Sequence, residues 1–128
     1  MRMLLDTNAL IGVLGDHDLP GNWRQLLIDV RNQVFVSSIS LAELAVKASI
    51  GKLEEPPGSL AGVPASLGMD ELSFTARHAE CLLRLPLIHR DPFDRMLIAQ
   101  ALVEDLAIMT TDRAFAAYDV RLVAEARG

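Results

Sequence analysis

The sequence predicts an α/β fold, a three-layer α/β/α sandwich with a central parallel sheet, on three observations. Short apolar runs at residues 3–5, 34–36 and 106–109 each stop at a polar turn, as strands buried on both faces do. Segments with apolar residues at helical spacing lie between them, so strand and helix alternate. The chain has 128 residues, 51% of them hydrophobic, which suffices for one core but not two, so residues 1–128 are expected to form a single domain.

The first strand, residues 3–5, ends in the turn Asp6-Thr7-Asn8. Gly15, Asp16, Asp18, Pro20 and Gly21 mark residues 15–21 as loop. Trp23, Leu26, Leu27 and Val30 have helical spacing over residues 22–31, with Trp23 as a packing residue. Strand 34–36 turns through Ser37-Ser38-Ile39-Ser40 into a helix over 41–50, whose apolar positions are Leu41, Leu44, Ala45 and Ala48; Gly51 ends it. Prolines and glycines make residues 54–68 a loop with a short helix at 60–67. A strand at 69–74 follows, then a helix over 76–85 that Thr75 caps and Pro86 stops. Asp91-Pro92 opens a helix over 93–104, because proline suits the first helical turn. Strand 106–109, one helical turn capped by Thr111-Asp112, and a last strand at 120–123 complete the order. Right-handed crossovers then bring the carboxyl ends of the strands to one edge, where function gathers in such sheets.

The net charge of −5 argues against a protein that grips nucleic acid through a broad basic groove. Cys81 is the only cysteine and cannot form an internal disulfide, which fits a reducing cytoplasm as the expected location. No apolar run reaches signal or transmembrane length, so no membrane association is expected. The hydrophobic surplus predicts that some apolar surface lies in a subunit interface.

Four carboxylates fall where strand ends predict a site: Asp6 after the first strand, Glu43 in the helix after the second, Asp94 in the opening turn of a later helix, and Asp112 after strand 106–109. If they converge, their repulsion demands a cation. An oxygen-only set without a Cys or His pair points to magnesium or manganese rather than zinc. Such an ion lowers the pKa of a bound water and polarises a phosphodiester. Without these four acids the net charge of −5 would become −1, so the acidity is concentrated in one place.

Each acid also has a local role open to it. Asp6 can bond its own turn. Ser40-Leu41-Ala42-Glu43 has the form of a capping box, and Asp91 is a natural N-cap that leaves Asp94 to favour the helix dipole. Thr111 or Asp112 can cap the turn that follows. His17, His78 and His89 are dispersed, so a histidine-based metal site is not expected; His89, just before Asp91 and Asp94, is placed to contact phosphate but reads first as an ordinary loop residue.

The local strings are more specific than the acids alone. Leu4-Leu5-Asp6-Thr7-Asn8-Ala9-Leu10 resembles the opening motif of PIN-domain ribonucleases. The segment from Ser37 through Ser40-Leu41-Ala42-Glu43 to Lys47, followed by Gly51-Lys52-Leu53, is similar to the second acidic motif of a VapC-type toxin subgroup. His89-Arg90-Asp91-Pro92-Phe93-Asp94-Arg95 resembles the third and Thr110-Thr111-Asp112-Arg113 the fourth. Asn8 departs from the pattern, since this subgroup often has histidine there.

The resemblance implies a Mg2+- or Mn2+-dependent endoribonuclease toxin acting on tRNA or another structured RNA. It also implies a homodimer, neutralised by a VapB-type antitoxin. By position, Asp6, Glu43 and Asp94 would be the core metal-binding acids and Asp112 the fourth. Thr111 would orient a metal-bound water. Because the chain is acidic overall, affinity for RNA would have to come from local cations, Arg90, Arg95 and Arg113 with Lys47 and Lys52, each of which reads equally well as a solvated surface charge. The expected reaction is in-line hydrolysis leaving a 5′-phosphate and a 3′-hydroxyl.

Two other classes share parts of this pattern. A phosphoacceptor receiver domain needs a lysine near its last strands, and none follows Lys52. A non-catalytic interaction module on the same fold would use the acids only to receive a partner's arginine.

Overall fold

A period of two along the strands sends Met3 and Leu5 to one face of the sheet and Leu4 to the other. Each face has its own core in the computed structural model, which describes residues 1–15 and 19–123. The four strands β1 (Arg2–Leu5), β2 (Gln33–Ser37), β3 (Asp70–Leu72) and β4 (Ala107–Met109) are all parallel, in the order β3-β2-β1-β4. Met3 pairs with Val34 and Ala107, and Leu4 with Phe35 and Ile108, so like faces align across the sheet.

One face packs Met3, Leu5, Val34, Val36, Ala107 and Met109 beneath four helices. These are α1 (Thr7–Leu14), α2 (Trp23–Ile28), α3 (Ser38–Ser49) and α4 (Val63–Ser66), which contribute Leu10, Trp23, Leu44 and Val63. The other face packs Leu4, Phe35 and Ile108 against Leu97, Ile98 and Ala101 of α6 (Pro92–Glu104). Helix α5 (Ala76–Arg84) lies against α6. The result is the expected α/β/α sandwich. Among the described residues, no helix is long and apolar enough to cross a membrane.

Three local expectations change. Asp6-Thr7-Asn8 is the start of α1 rather than a terminating turn, because the Asp6 carboxylate accepts the Ala9 N–H at 2.7 Å and caps the helix. The α3 helix starts at Ser38 with Ser37 as its N-cap, so Ser40 and Glu43 lie inside the helix and form no capping box. The last strand shrinks to a parallel bridge between Ile108 and Leu122, held by bonds from Ile108 N–H to Arg121 O and from Val123 N–H to Ile108 O. The other elements fall where expected, with ends that differ by a few residues. Residues 60–66 split into a 3-10 turn, Leu60–Gly62, and α4, while Gly51, at φ +77°, follows the last turn of α3. A second 3-10 turn, Arg113–Ala117, is capped by Asp112. His17 and part of the 15–21 loop lie outside the described residues.

Candidate functional site

Strand β1 delivers Asp6 to the carboxyl edge of the sheet, where its backbone N–H bonds to Met109 O at the end of β4. The side chain is only 3% exposed. Burial raises its pKa, the Thr110 hydroxyl and the Ala9 amide pull it down by hydrogen bonding, and the charges of Asp112 and Glu43 push it up again. Thus three of the four predicted acids act on one another here.

Glu43 reaches the same place from the second turn of α3. Its Oε2 pairs with Lys47 Nζ at 2.9 Å, one helical turn on, while its Oε1 is buried with no hydrogen-bond partner. A buried, unpaired carboxylate oxygen is costly unless something else satisfies it. The start of α3 is fixed to the start of α1 by a buried bond from Thr7 Oγ1 to Ser40 Oγ, 3.1 Å long.

Asp94 enters from the opposite layer. Asp91 caps α6 by accepting the N–H groups of Phe93 and Asp94, as its position before Pro92 predicts, and this turns the Asp94 side chain to the sheet edge. Burial pushes the Asp94 pKa up to about 7. The charge of Asp91 adds to that rise, His89 opposes it, and Glu43 and Asp6 raise it further. Glu43 and Asp6 are therefore within electrostatic reach of Asp94, as Asp112 and Glu43 are of Asp6.

His89 lies closer to this cluster than its place in a loop suggested. Its Nε2 is 3.2 Å from Asp94 Oδ2 and 3.5 Å from Asp112 Oδ2. His89, Asp94 and Asp112 offer ligand atoms all within 4.8 Å of one another, a tighter grouping that leaves out Asp6 and Glu43. The sequence signalled only that His89 stands beside the segment carrying Asp94; the contact itself depends on how the loop before α6 folds back over the turn after β4. Asp112 also caps that turn through the Ala114 N–H.

The threonine pair divides its work. Thr111 is exposed, whereas Thr110 is buried and its hydroxyl accepts the Asp112 N–H at 3.0 Å while bonding to Asp6. Thr110 is thus the threonine bonded to Asp6, whereas the sequence reading expected the site hydroxyl at Thr111.

Among the cations, Arg90 and Arg113 are exposed, each next in sequence to a residue of the cluster, and Lys52 is exposed beyond α3. Arg95 is different: its Nη2 donates to Leu85 O and its Nε is buried. It holds the end of α5. His78 is likewise structural, accepting the Thr75 N–H at Nδ1 and meeting Glu104 through Nε2.

Hard oxygens, mutual repulsion and an unsatisfied Glu43 oxygen together fit a small divalent cation.

The family model described as PIN domain matches residues 3–121. No curated protein matches the chain. Several solved structures share its fold. A chain in the crystal structure of VapBC2 from Rickettsia felis, bound to a promoter DNA fragment, superposes with a TM-score of 0.75 at 22% identity, covering 96% of this chain and 98% of that one. A chain of DNA-bound VapBC from Salmonella typhimurium gives 0.70 at 21% identity, over 96% and 97%. A chain of FitAcB from Neisseria gonorrhoeae gives 0.66 at 22%, again over 96% and 97%.

Proposed function

This chain belongs to the PIN-domain family, and on that premise we propose that it is a Mg2+- or Mn2+-dependent endoribonuclease, the VapC-type toxin of a toxin–antitoxin pair. The observation that carries the reading is Glu43 Oε1, buried and unpaired among acids that repel one another. The fold neighbours, which come from VapBC and FitAB complexes, support a VapB-type antitoxin as partner. The exposed apolar side chains Leu83, Leu87 and Ile88 are compatible with a homodimer or a partner surface.

Asp6, Glu43 and Asp94 would hold the cation, with Asp112 beside them. When bound, the ion supplies charge neutralisation at a phosphodiester and lowers the pKa of water. The protein's own groups supply the rest. Thr110 fixes the Asp6 carboxylate and the Asp112 backbone together. Lys47 neutralises one Glu43 oxygen. Arg90 and Arg113 project to solvent beside the cluster, where they would pair with the phosphates flanking the scissile bond. Binding of RNA by so acidic a chain would rest on these local cations, and hydrolysis would leave a 5′-phosphate and a 3′-hydroxyl.

Incubation of the purified protein with tRNA and other structured RNAs, with and without Mg2+, tests the proposal. Cleavage only with the metal supports it. Intact RNAs together with no divalent ion bound would instead identify a non-catalytic interaction module.

A further inference from the structure

His89 is held in one orientation by contacts on three sides. Its Nδ1 accepts the Asp91 N–H at 3.1 Å. Its backbone N–H, like that of Ile88, donates to the Tyr118 hydroxyl, which in turn donates to Pro86 O. Its ring meets Phe115 edge-on, with centroids 6.0 Å apart at 90°.

The bond at Nδ1 sets the tautomer. An imidazole nitrogen that accepts carries no hydrogen, so in the neutral ring the proton sits on Nε2. Nε2 is the atom that lies 3.2 Å from Asp94 Oδ2 and 3.5 Å from Asp112 Oδ2. What faces these two carboxylates is thus an N–H donor and not a lone pair. To ligate a metal, Nε2 would have to pass its proton to Nδ1, which would then point at the Asp91 N–H, donor against donor.

An ion bridging Asp94 and Asp112 would need the space and the carboxylate oxygens that this N–H takes up. On the Asp6–Glu43 side, Lys47 Nζ takes Glu43 Oε2 at 2.9 Å, but Glu43 Oε1 is buried with no hydrogen-bond partner and is left for an ion. We propose that His89 stands in the place of a second metal, so that this chain binds one divalent cation, on the Asp6–Glu43–Asp94 side, and uses an imidazole N–H on the Asp94–Asp112 side. The inference rests on the metal-centre reading above and narrows it to a one-ion site in which His89 is a positioning residue.

The test counts Mn2+ bound per chain by titration calorimetry, with free Mn2+ checked by electron paramagnetic resonance. The variant is His89→Asn, because the Asn side-chain oxygen can still accept the Asp91 N–H while the ring's far nitrogen is removed. His89→Ala serves as a second variant, and thermal melting confirms that each folds. The wild-type protein is expected to bind one Mn2+. In His89→Asn the count should rise from one ion per chain to two.

Two ions on the wild-type protein would overturn the inference and leave the metal-centre reading intact. One ion on both wild type and the variants would also overturn it, since His89 would then not be what excludes the second. No ion on the wild-type protein would defeat the metal-centre reading itself, and the inference with it.

Discussion

Ser37 Oγ donates a 2.5 Å hydrogen bond to Gln100 Oε1, and both side chains are fully buried. This bond ties the carboxyl end of β2, where α3 begins, to α6. Gln100 Nε2 also reaches Leu72 O at the end of β3. One amide thereby links the layer that carries Glu43 to the helix that carries Asp94.

Replacing that amide should loosen the link without emptying the core. Gln100→Leu keeps the volume and strands the Ser37 hydroxyl and the Leu72 carbonyl, at a cost of about 1–3 kcal/mol. Urea unfolding should show the loss as a lower midpoint at unchanged slope. The double change Ser37→Ala with Gln100→Leu should cost less than the two single changes added together, because the second removes a group the first has already left unpaired. Strict additivity would show that the bond contributes nothing.

Asp6 performs two tasks that a single substitution separates. As the N-cap of α1 it accepts the Ala9 N–H, and asparagine caps a helix as well as aspartate does. Asp6→Asn should therefore melt within a few degrees of wild type. Its Mg2+-dependent RNA cleavage should nonetheless fall by more than about 100-fold, beyond the usual loss for an outer contact at a metal site. Cleavage at the wild-type rate by the folded variant would remove Asp6 from the reaction.

The layered fold was legible in the sequence because Met3–Leu5, Val34–Val36 and Ala107–Met109 are apolar without interruption and are separated by helical stretches. Helix α1 was not, since Asp6-Thr7-Asn8 has the composition of a turn and only the captured Ala9 N–H shows that it is a cap. The capping box at Ser40 and Glu43 misled for a related reason: Ser37, with no Glu or Gln three residues on, caps α3 through the Ile39 N–H instead. Asp6 and Asp112 stood out in the sequence by following strands, and Glu43 and Asp94 by their places in the helices that lead off the sheet edge. The contacts of Gln100, Thr110 and His89 did not, because their partners are fixed by chain reversals and carry no spacing of their own.

Thr110 and Thr111 offer a direct comparison between adjacent residues. Thr110→Val removes a hydroxyl that serves both Asp6 and the Asp112 N–H, so it should cost about 1–2 kcal/mol and lower cleavage roughly 10- to 100-fold. Thr111→Val alters an exposed side chain and should stay within about 0.5 kcal/mol of wild type. The reverse ranking, measured in parallel on the two purified variants, would return the site hydroxyl to residue 111.

Asp94 makes the stability of the metal-free protein depend on pH. Its pKa is pushed up to about 7 in the fold, from 3.8 for an ordinary aspartate. The folded state therefore keeps this proton over a range where the unfolded chain has lost it. The contribution is fully present below about pH 4 and is lost as pH rises to about 7, above which the buried charge weighs against folding by an upper bound of about 4 kcal/mol. Asp94→Asn, assayed in chelator, should thus raise the melting temperature at pH 8 and leave it unchanged at pH 4. With saturating Mg2+ on the wild-type protein the advantage at pH 8 should shrink, since the ion offsets the same charge. An equal gain at both pH values would mean that the substitution acts through packing.

Lys47 is the only cation that directly contacts a site carboxylate by ion pairing among the described residues, at 2.9 Å from Glu43 Oε2. The lysine end is partly exposed while Glu43 is buried, so the bond is screened on one side only. Lys47→Met should leave both Glu43 oxygens without a partner in the metal-free protein, which costs about 1–3 kcal/mol, less than for a fully buried pair. Added Mg2+ should recover more stability in this variant than in wild type, because the ion then replaces a lost positive charge as well as satisfying Oε1. Thermal melts with and without Mg2+ read both effects together. A variant that loses stability and regains none with the metal would show that Glu43 does not face the cation at all.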